Sequence, residues 1–458
     1  MAHNRRRASN IDLERHRAPL LAILRAVVRE PALTPRRLDR VLKDHPRDGR
    51  GLFARDALVR AYRAFAGQGE LPPFDPTVLD RLRLKPARTH SGVTTVTVLT
   101  KPFPCPGTCI FCPSDVRMPK SYLASEPGAQ RAERCGFDPY LQTFLRLEAL
   151  RAIGHPSDKV EVIVLGGTWS FYPETYQIWF IKRLFDALND FGAGADRREA
   201  VHAALAAASQ LPAGRDPMPQ VQGGVWPYGS YNAAVQDVYR AEMRRSGEAA
   251  VEIAAGRRPR GPADEYATWG ELEAAHRVNE SAACRCVGLA VETRPDHVTP
   301  AEVLRIRRLG ATKVQLGLQS LDEAVLTANR RGHGVAATRH AIRLLRRAGF
   351  KIHAHWMPNL LGATPDRDSA DYHRLFDDPD FRPDELKIYP CALVPSADLM
   401  RHYRDGSWQP YDHATLVALL ADCFVATPEY CRLTRVIRDI PSTEIVAGEM
   451  RTNLRQDV

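Results

Sequence analysis

Hydrophobic positions along the chain follow two different periods, and the change falls near residue 90. Ile11–Glu30 and Leu52–Gly67 carry apolar residues at the three- and four-residue spacing of an amphipathic helix. Thr34-Pro35 is typical of a helix start, and Pro72-Pro73 ends this region. The first 88 residues are therefore predicted to form a separate helical module.

From Gly92 onward, short apolar or β-branched runs alternate with longer helical intervals. Repeated strand–helix units predict an α/β fold with a parallel sheet covered by helices. Six such units are fewer than the eight of a closed barrel, so a partial (β/α)6 barrel is expected. The predicted strands are Gly92–Thr100, Val160–Leu165, Val287–Glu292, Lys313–Leu318, Ile352–Met357 and Leu386–Tyr389. The predicted helices between them are Glu174–Asp190, Pro300–Leu309, Val335–Ala348 and Asp366–Phe376.

Two regions depart from this alternation. Residues 192–270 combine Ala-rich helical segments with Pro- and Gly-rich connections at Gln222–Ser230 and Arg257–Pro262, and we interpret them as an insertion. Beyond the last core strand, a helix over Tyr411–Ala426 and a short strand over Arg432–Arg438 are predicted as an extension. The expected division of the chain is 1–88, 89–395 with the insertion at 192–270, and 396–458.

The composition excludes several classes of protein. No apolar run approaches the roughly 18–20 residues that cross a bilayer, and the Arg-rich start lacks the apolar segment of a signal peptide. Nine cysteines among 458 residues are too few for a disulfide scaffold, and three of them crowd into eight positions. This pattern favours a metal site in a reducing compartment, and we expect a cytoplasmic location.

The net charge of +10 is concentrated at the N-terminal end. Residues 1–90 hold 20 Lys and Arg against 10 Asp and Glu, while the rest of the chain is balanced. A basic module on a neutral body is suited to binding a polyanion, because contacts to phosphates release counterions. The alternative is a solvated helical surface, and charge alone does not distinguish the two.

The strongest chemical signal is Lys101–Pro113, KPFPCPGTCIFCP, directly after the first predicted strand. Cys105, Cys109 and Cys112 can bind one face of a 4Fe–4S cluster but leave one iron without a protein ligand. S-adenosylmethionine (SAM) can chelate that iron, and an electron from the cluster then cleaves SAM to a 5′-deoxyadenosyl radical. This pattern predicts a radical SAM protein.

The alternative for these cysteines is a structural zinc site, which needs four ligands in a closed tetrahedron. Cys284 and Cys286 are one residue apart and do not supply a second pair of suitable spacing, so an iron–sulfur cluster is favoured. The cysteines outside the motif are interpreted as small buried residues; they are Cys135, Cys284, Cys286, Cys391, Cys423 and Cys431.

Residues at the ends of the next three strands are candidates for binding SAM. Glycines at a strand end let the backbone approach a ligand closely, and a carboxylate at the same edge suits a ribose hydroxyl. The alternatives are an ordinary Gly-Gly turn and a salt bridge between Glu292 and Arg294. The candidates are Gly166, Gly167, Thr168, Glu292 and Gln319.

Ordered sequence blocks extend over most of the chain. They are Lys85–Gly92, Cys105–Cys112, Pro119–Tyr122, Glu126-Pro127, Arg131-Ala132, Phe137–Gln142, Asp158–Glu161, Gly166–Thr168, Glu292–Asp296, Leu386–Pro390 and Arg438–Pro441. Together these blocks resemble the catalytic subunit of Elongator, a family of radical SAM enzymes that modify tRNA. The stretch at 192–270 is outside this resemblance and is longer than the family connection.

The resemblance implies a reaction at the wobble uridine of the tRNA anticodon stem-loop. An acetyl group from acetyl-CoA would be activated by the deoxyadenosyl radical and added to C5, giving 5-carboxymethyluridine. Lys159 matches the family position that touches acetyl-CoA. The residues expected to face the RNA, besides the N-terminal module, are Lys85, Arg88, Lys101, Arg117, Lys120, Arg131 and Arg134.

The chain also departs from the family pattern. Family members usually carry a C-terminal acetyltransferase domain, and no pyrophosphate-binding R/Q-x-x-G-x-G/A motif follows Pro441. A formal match at Arg258–Ala263 is discounted because its prolines remove backbone donors. Leu393–Asp398 also differs from the usual Arg-Gly-Thr. Three explanations fit the missing motif. The acetyltransferase domain is truncated from this sequence, a partner subunit supplies it in trans, or the chain is a radical enzyme with altered chemistry.

Three other functions compete with tRNA carboxymethylation. A protein acetyltransferase is disfavoured because that fold is not recognisable in the sequence. A non-catalytic tRNA-binding scaffold with a structural cluster is disfavoured by the candidate SAM residues. A tRNA methylthiotransferase would need further cluster ligands, and none is found in the sequence.

Overall fold

A computed structural model describes residues 11–208, 230–239, 252, 265–451 and 453–458. The motif at Arg258–Ala263, the connection at Arg257–Pro262 and all of Gln222–Ser230 except Ser230 lie outside the described residues. The chain separates into two compact units. One comprises the residues up to Val96 with Phe144–Val160, and the other comprises Thr97–Thr143 with Glu161–Val458.

The first unit begins with four amphipathic helices. Leu20, Ile23, Leu24 and Val27 lie on one face of the first helix and are fully buried. The Thr34 side chain accepts a hydrogen bond from a backbone amide in the first turn of the second helix, as an N-cap residue does. The helices are α1 (Arg17–Arg29), α2 (Pro35–Asp44), α3 (Arg55–Phe65) and α4 (Pro76–Leu82).

Seven parallel strands form a single sheet in sequence order, curved into a half-barrel with helices around it. β1 and β7 are its two edges. This arrangement confirms the expected partial barrel. The strands are β1 (Thr94–Leu99), β2 (Lys159–Leu165), β3 (Arg285–Thr293), β4 (Lys313–Gln319), β5 (Lys351–Trp356), β6 (Glu385–Ile388) and β7 (Arg432–Arg435).

The seventh strand is a difference from the sequence-based expectation of six units. Its sequence, RLTR, is polar and short, and the sequence pattern predicts it as part of a C-terminal extension. The structure pairs it with β6, with Glu385 opposite Arg432 and Leu386 opposite Leu433. Backbone pairing therefore adds this segment to the core sheet although its side chains carry little apolar character.

The helices surround the sheet, and several begin at a capping side chain. Thr268 and Glu271, for example, form a reciprocal capping box. Among the described residues no helix is both long and apolar enough to cross a bilayer. The helices are α5 (Pro127–Arg134), α6 (Pro139–Ala152), α7 (Glu174–Ala193), α8 (Arg198–Ala208), α9 (Tyr231–Val238), α10 (Trp269–Glu280), α11 (Pro300–Arg308), α12 (Glu323–Ala328), α13 (Val335–Arg347), α14 (Pro365–Asp377), α15 (Met400–Arg404), α16 (His413–Ala426) and α17 (Leu454–Asp457).

The concave face of the sheet is polar. Lys313 on β4 binds Glu161 on β2 at 2.7 Å and Glu385 on β6 at 2.8 Å. Each partner lies two strands away, so these side chains meet across the inside of the curved sheet. Because side chains alternate along a strand, Gln315 and Lys387 face the same interior. The inside of the half-barrel is therefore lined by charged and amide groups rather than by an apolar core alone.

Candidate functional site

The cysteine motif forms the loop that follows β1, at the carboxyl edge of the parallel sheet. Barrel folds build their sites at this edge, because the loops after all strands meet there. Ile110 and Phe111 are buried and pack against Leu360 and Leu393. Two backbone hydrogen bonds, from Ile110 N to Asn329 O and from Leu399 N to Ile110 O, fix the middle of the loop. The motif is therefore anchored to segments that follow several different strands.

The three thiols are not equivalent. Cys112 N donates to Cys109 O at 3.2 Å, and the two thiols interact with each other. Cys105 Sγ accepts from Gly107 N at 3.4 Å and lies 3.8 Å from Thr168 Oγ1, at the end of β2. The structure thus brings two of the thiols together and directs the third toward a predicted SAM-binding residue.

Two buried arginines point at the sulfur of Cys109. Arg331 Nη1 lies 3.4 Å and Arg294 Nη1 lies 3.8 Å from Cys109 Sγ. The bond with Cys112 and the charges of Arg331 and Arg294 hold the pKa of Cys109 well below its ordinary value. Gly107 makes room for this arrangement, because a Cβ there would stand 2.1 Å from Arg294 Nη1.

Helix α9 also holds the cysteine loop. Cys105 N donates to Asn232 Oδ1 at 2.9 Å, and Asn232 Nδ2 donates to Cys105 O at 2.8 Å. The hydroxyl of Tyr231 donates to Met118 O at 2.8 Å. Helix α9 belongs to residues 192–270, which we interpret as an insertion and whose role the sequence does not indicate. In the structure, the described part of this stretch fixes the backbone of Cys105.

The donor set fits an iron–sulfur cluster. Cluster iron is bound by thiolates, and the arginines supply positive charge beside one of them. In the parts of the chain that the structure describes, no three or more His, Cys, Asp or Glu side chains are already arranged to hold a metal ion. The assignment of Cys105, Cys109 and Cys112 as ligands therefore rests on their chemistry and spacing and remains a prediction.

The glycines after β2 adopt conformations that other residues rarely reach. Gly166 has φ of 126° and Gly167 has φ of 57°. A Cβ on Gly166 would stand 2.1 Å from Thr100 Oγ1, so the chain passes very close to the end of β1. Thr168 follows and is buried. These residues line the same edge as the cysteine loop, while their contact with SAM remains a prediction.

Glu292 and Gln319 lie at the ends of β3 and β4. His355 Nδ1 is 3.6 Å from Glu292 Oε1, and Tyr122 also interacts with the Glu292 carboxyl group. Burial raises the pKa of Glu292, against the opposing charges of Lys387 and Arg438. Glu292 thus lies beside Tyr122 and His355 rather than in a salt bridge with Arg294, whose guanidinium binds Asp296 at 2.8 Å.

The predicted RNA-facing residues are placed in very different surroundings. Lys120 is 8% exposed, donates to Ser114 Oγ at 2.8 Å and lies over the Tyr231 ring, so it presents no charge to solvent. Lys101 binds Glu265, and Arg117 binds Asp115 at 2.8 Å. The remaining four are exposed; they are Lys85, Arg88, Arg131 and Arg134.

Lys159, the residue matched to acetyl-CoA binding, is the first residue of β2 and is exposed. It belongs to the unit that also contains Lys85 and Arg88, whereas the cysteine loop belongs to the other unit. Its role stays a prediction.

Sequence reasoning missed the arginines on Cys109 and the polar barrel interior. Arg331 lies 222 positions from Cys109, in a loop without a motif. The interior was legible in principle, because β5 reads Lys-Ile-His-Ala-His-Trp, with a polar residue at every second position. That alternation is unusual for a parallel strand covered on both faces, and it signals a polar interior.

Comparison with known proteins finds two matching family models and several similar relatives. Models of the radical SAM superfamily and of the radical SAM C-terminal domain match residues 263–371 and 383–458. A tRNA uridine(34) acetyltransferase of Dehalococcoides mccartyi is 36% identical over 374 residues, which are 82% of this chain and 65% of that protein. Elongator complex protein 3 of Danio rerio is 31% identical over 417 residues, 89% of this chain and 61% of that protein.

The solved structure of Elp3 from Methanocaldococcus infernus, lacking residues 1–46, is 29% identical and superposes with a TM-score of 0.55. The match covers 80% of this chain and 61% of that one. The chain spans less than two thirds of the length of these relatives. The chain is therefore similar to radical SAM proteins over its matched segments and, over most of its length, to Elongator protein 3 and the tRNA uridine(34) acetyltransferases.

Proposed function

We propose that this chain is the radical SAM part of an enzyme that converts the wobble uridine of tRNA to 5-carboxymethyluridine, using SAM and acetyl-CoA. The observation that carries the proposal is the Cys109 thiol, held by two buried guanidinium groups on a loop at the carboxyl edge of the sheet. The names of the relatives, tRNA uridine(34) acetyltransferase and Elongator complex protein 3, support the choice of substrate.

Cys105, Cys109 and Cys112 would hold the 4Fe–4S cluster. When bound, the cluster supplies the electron that cleaves SAM and so provides a radical able to abstract hydrogen from an unactivated carbon. Arg294 and Arg331 would stabilise the negative charge of the Cys109 thiolate. The burial of these side chains keeps water away from a site at which a radical must not be quenched.

The strand ends supply the groups that would orient SAM. The backbone at Gly166 and Gly167, where no side chain stands in the way, permits a close approach of the ligand, and Thr168 adds a hydroxyl near Cys105. Glu292 and Gln319 would bind the ribose and the neighbouring part of SAM from β3 and β4. Each is a side chain at the same edge of the sheet, which is the basis for the assignment.

The remaining parts of the proposal concern RNA and the acetyl donor. The exposed cations Lys85, Arg88, Arg131 and Arg134 would contact phosphates of the anticodon stem-loop. Lys159 would contact acetyl-CoA. An acetyltransferase domain or a partner subunit would deliver the acetyl group.

The first test is anaerobic reconstitution of the chain with iron and sulfide, followed by mass-spectrometric detection of 5′-deoxyadenosine. Cys109→Ala is expected to lose the cluster and SAM cleavage. Cys135→Ala, a buried cysteine outside the loop, is the matched control and should retain both. Stimulation of cleavage by an anticodon stem-loop together with acetyl-CoA supports the substrate assignment. Cleavage retained in Cys109→Ala would refute the ligand assignment.

A second test addresses the RNA surface. Arg134→Glu should weaken binding of an anticodon stem-loop and lower the slope of log K against log salt by about 1, because one phosphate contact is lost. Arg308→Glu, whose arginine is paired with Glu273 on another helix, is the control. Equal effects of the two variants would show that α5 is not part of the RNA surface.

A further inference from the structure

Gln315 lies inside the half-barrel with half of its amide group unpartnered. The residue is 0% exposed. Its Oε1 accepts hydrogen bonds from Lys387 Nζ on β6 and from His355 Nε2 on β5, the latter at 3.1 Å. Its Nε2 has no hydrogen-bond partner among the described residues. A buried amide donor left unpaired destabilises the folded state, so this arrangement is not one that folding alone favours.

The orientation of the amide is fixed by chemistry. The ammonium group of Lys387 can only donate, so the amide atom facing it must be the oxygen. Gln315 therefore cannot turn its oxygen toward a ligand without breaking its bonds to Lys387 and His355. What it offers to the interior is a donor and never an acceptor.

The amide also lies close to the predicted SAM residues. Gln315 is opposite Glu292 in the pairing of β3 with β4. Two residues further along β4, toward the carboxyl edge, Gly317 contributes no side chain. A Cβ at Gly317 would stand 2.9 Å from Gln319 Nε2 and 3.0 Å from Arg331 Nη2. The amide is therefore one layer below the edge that carries the cysteine loop.

We propose that Gln315 is a specificity-determining residue, which donates from Nε2 to the 4-keto oxygen of a uracil base that enters the half-barrel. The inference rests on the proposed function and names the group that selects its substrate base. Uracil carries an acceptor oxygen at C4, whereas cytosine carries an amino donor there. An amide that can only donate forms a hydrogen bond with the 4-keto oxygen of uracil. With cytosine it would face the 4-amino group, which is another donor.

The test measures binding, not turnover. The full chain, reconstituted with its cluster, is titrated by fluorescence anisotropy with synthetic anticodon stem-loops that differ only in the wobble base. The bases are uracil, cytosine and 2-pyrimidinone, which has no group at C4. The wild type is expected to bind the uracil loop about tenfold or more tightly than either of the other two loops. Only uracil gives the buried Nε2 donor a partner, and one hydrogen bond corresponds to about tenfold in affinity.

Gln315→Glu replaces the donor with an acceptor of the same shape, while Lys387 and His355 keep their partner oxygen. The preference for uracil over cytosine should disappear or reverse in this variant. Gln456→Glu makes the same change of charge on the exposed helix α17 and should preserve the preference. The series of bases on the wild-type chain requires no variant, so the inference stays testable if Gln315→Glu does not fold.

Two results would overturn the inference. One is a wild type that binds the three loops equally, and the other is a Gln315→Glu variant that keeps the preference for uracil. Formation of 5′-deoxyadenosine is measured separately on the same preparations. If 5′-deoxyadenosine does not form but the preference for uracil is intact, the result counts against the proposed function alone. If 5′-deoxyadenosine forms but the preference for uracil is absent, the result counts against the role of Gln315 alone.

Discussion

Arg331 Nη1 lies 3.4 Å from Cys109 Sγ, and both side chains are buried. The same guanidinium donates through Nη2 to the carbonyl of Gly317, so it connects the cysteine loop to the carboxyl end of β4. Hydrogen bonds to cluster sulfurs are one of the features that set the reduction potential of an iron–sulfur cluster. With Cys109 as a cluster ligand, as proposed, this contact would have an electrochemical consequence as well as a structural one.

Arg331→Met is expected to lower the reduction potential of the reconstituted cluster, because a positive donor beside a ligating sulfur stabilises the reduced state. Arg331→Lys keeps the charge and should show a smaller shift. The measurement is a redox titration monitored by electron paramagnetic resonance. Arg367→Met, at an exposed arginine paired with Asp322, serves as the control. An unchanged potential in an Arg331→Met variant with a full cluster would contradict the role given to Arg331.

Asn232→Ala should weaken retention of iron without unfolding the chain. Asn232 makes two hydrogen bonds to the backbone of Cys105, and partners that orient a metal ligand typically contribute about tenfold or more to metal affinity. Release of iron to a chelator is expected to be about tenfold faster than in the wild type. Asn453→Ala, at an exposed asparagine near the C-terminus, is the control. Equal release rates in the two variants would show that α9 does not stabilise the loop.

The sequence predicted the local features of this fold much better than its long-range contacts. Strand positions and the cysteine loop follow from periodicity and spacing, which are properties of neighbouring residues. The arginine at 331 and the asparagine at 232 reach the cysteines from distant parts of the chain, and neither lies in a recognisable motif. Which distant side chain fills the space beside a given thiol depends on the packing of the whole unit.

Lys120 illustrates the same limit in the opposite direction. The family resemblance places it among the residues expected to face RNA. In the structure the Tyr231 ring from α9 covers it, and its ammonium binds Ser114. Charge in a sequence indicates exposure only on average, and a residue from the presumed insertion determines the outcome here.

Lys313→Met should destabilise the chain by about 3–5 kcal/mol, because it leaves two largely buried carboxylates facing each other without a cation. Glu161 and Glu385 both bind Lys313 Nζ, from strands on either side of β4. Chemical denaturation measures the free energy of unfolding. Lys351→Met, at the exposed start of β5, is the control. The double variant Lys313→Met/Glu385→Gln should recover part of the loss; no recovery would mean that charge repulsion is not its cause.

Lys387 predicts a specific dependence of stability on pH. Burial, opposed mainly by the charge of Glu292, lowers the pKa of Lys387 to about 8. Arg435 and Arg438 also disfavour its charged form, while Glu385 favours it. In the unfolded chain a lysine has a pKa of about 10.4. The folded state therefore binds fewer protons between these two values.

The contribution of Lys387 to the free energy of unfolding therefore rises with pH from about 8 to about 10.4, because the lysine binds fewer protons in the folded state over this range. Below that range the lysine is charged in both states, and its contribution is lowest. Relative to Lys387→Met, the wild type should gain about 2 kcal/mol between pH 8 and pH 10. Other titrating groups are common to both proteins and cancel in the difference. Parallel stability curves for the two proteins over this range would show that Lys387 titrates at the same pH in the folded and unfolded chain.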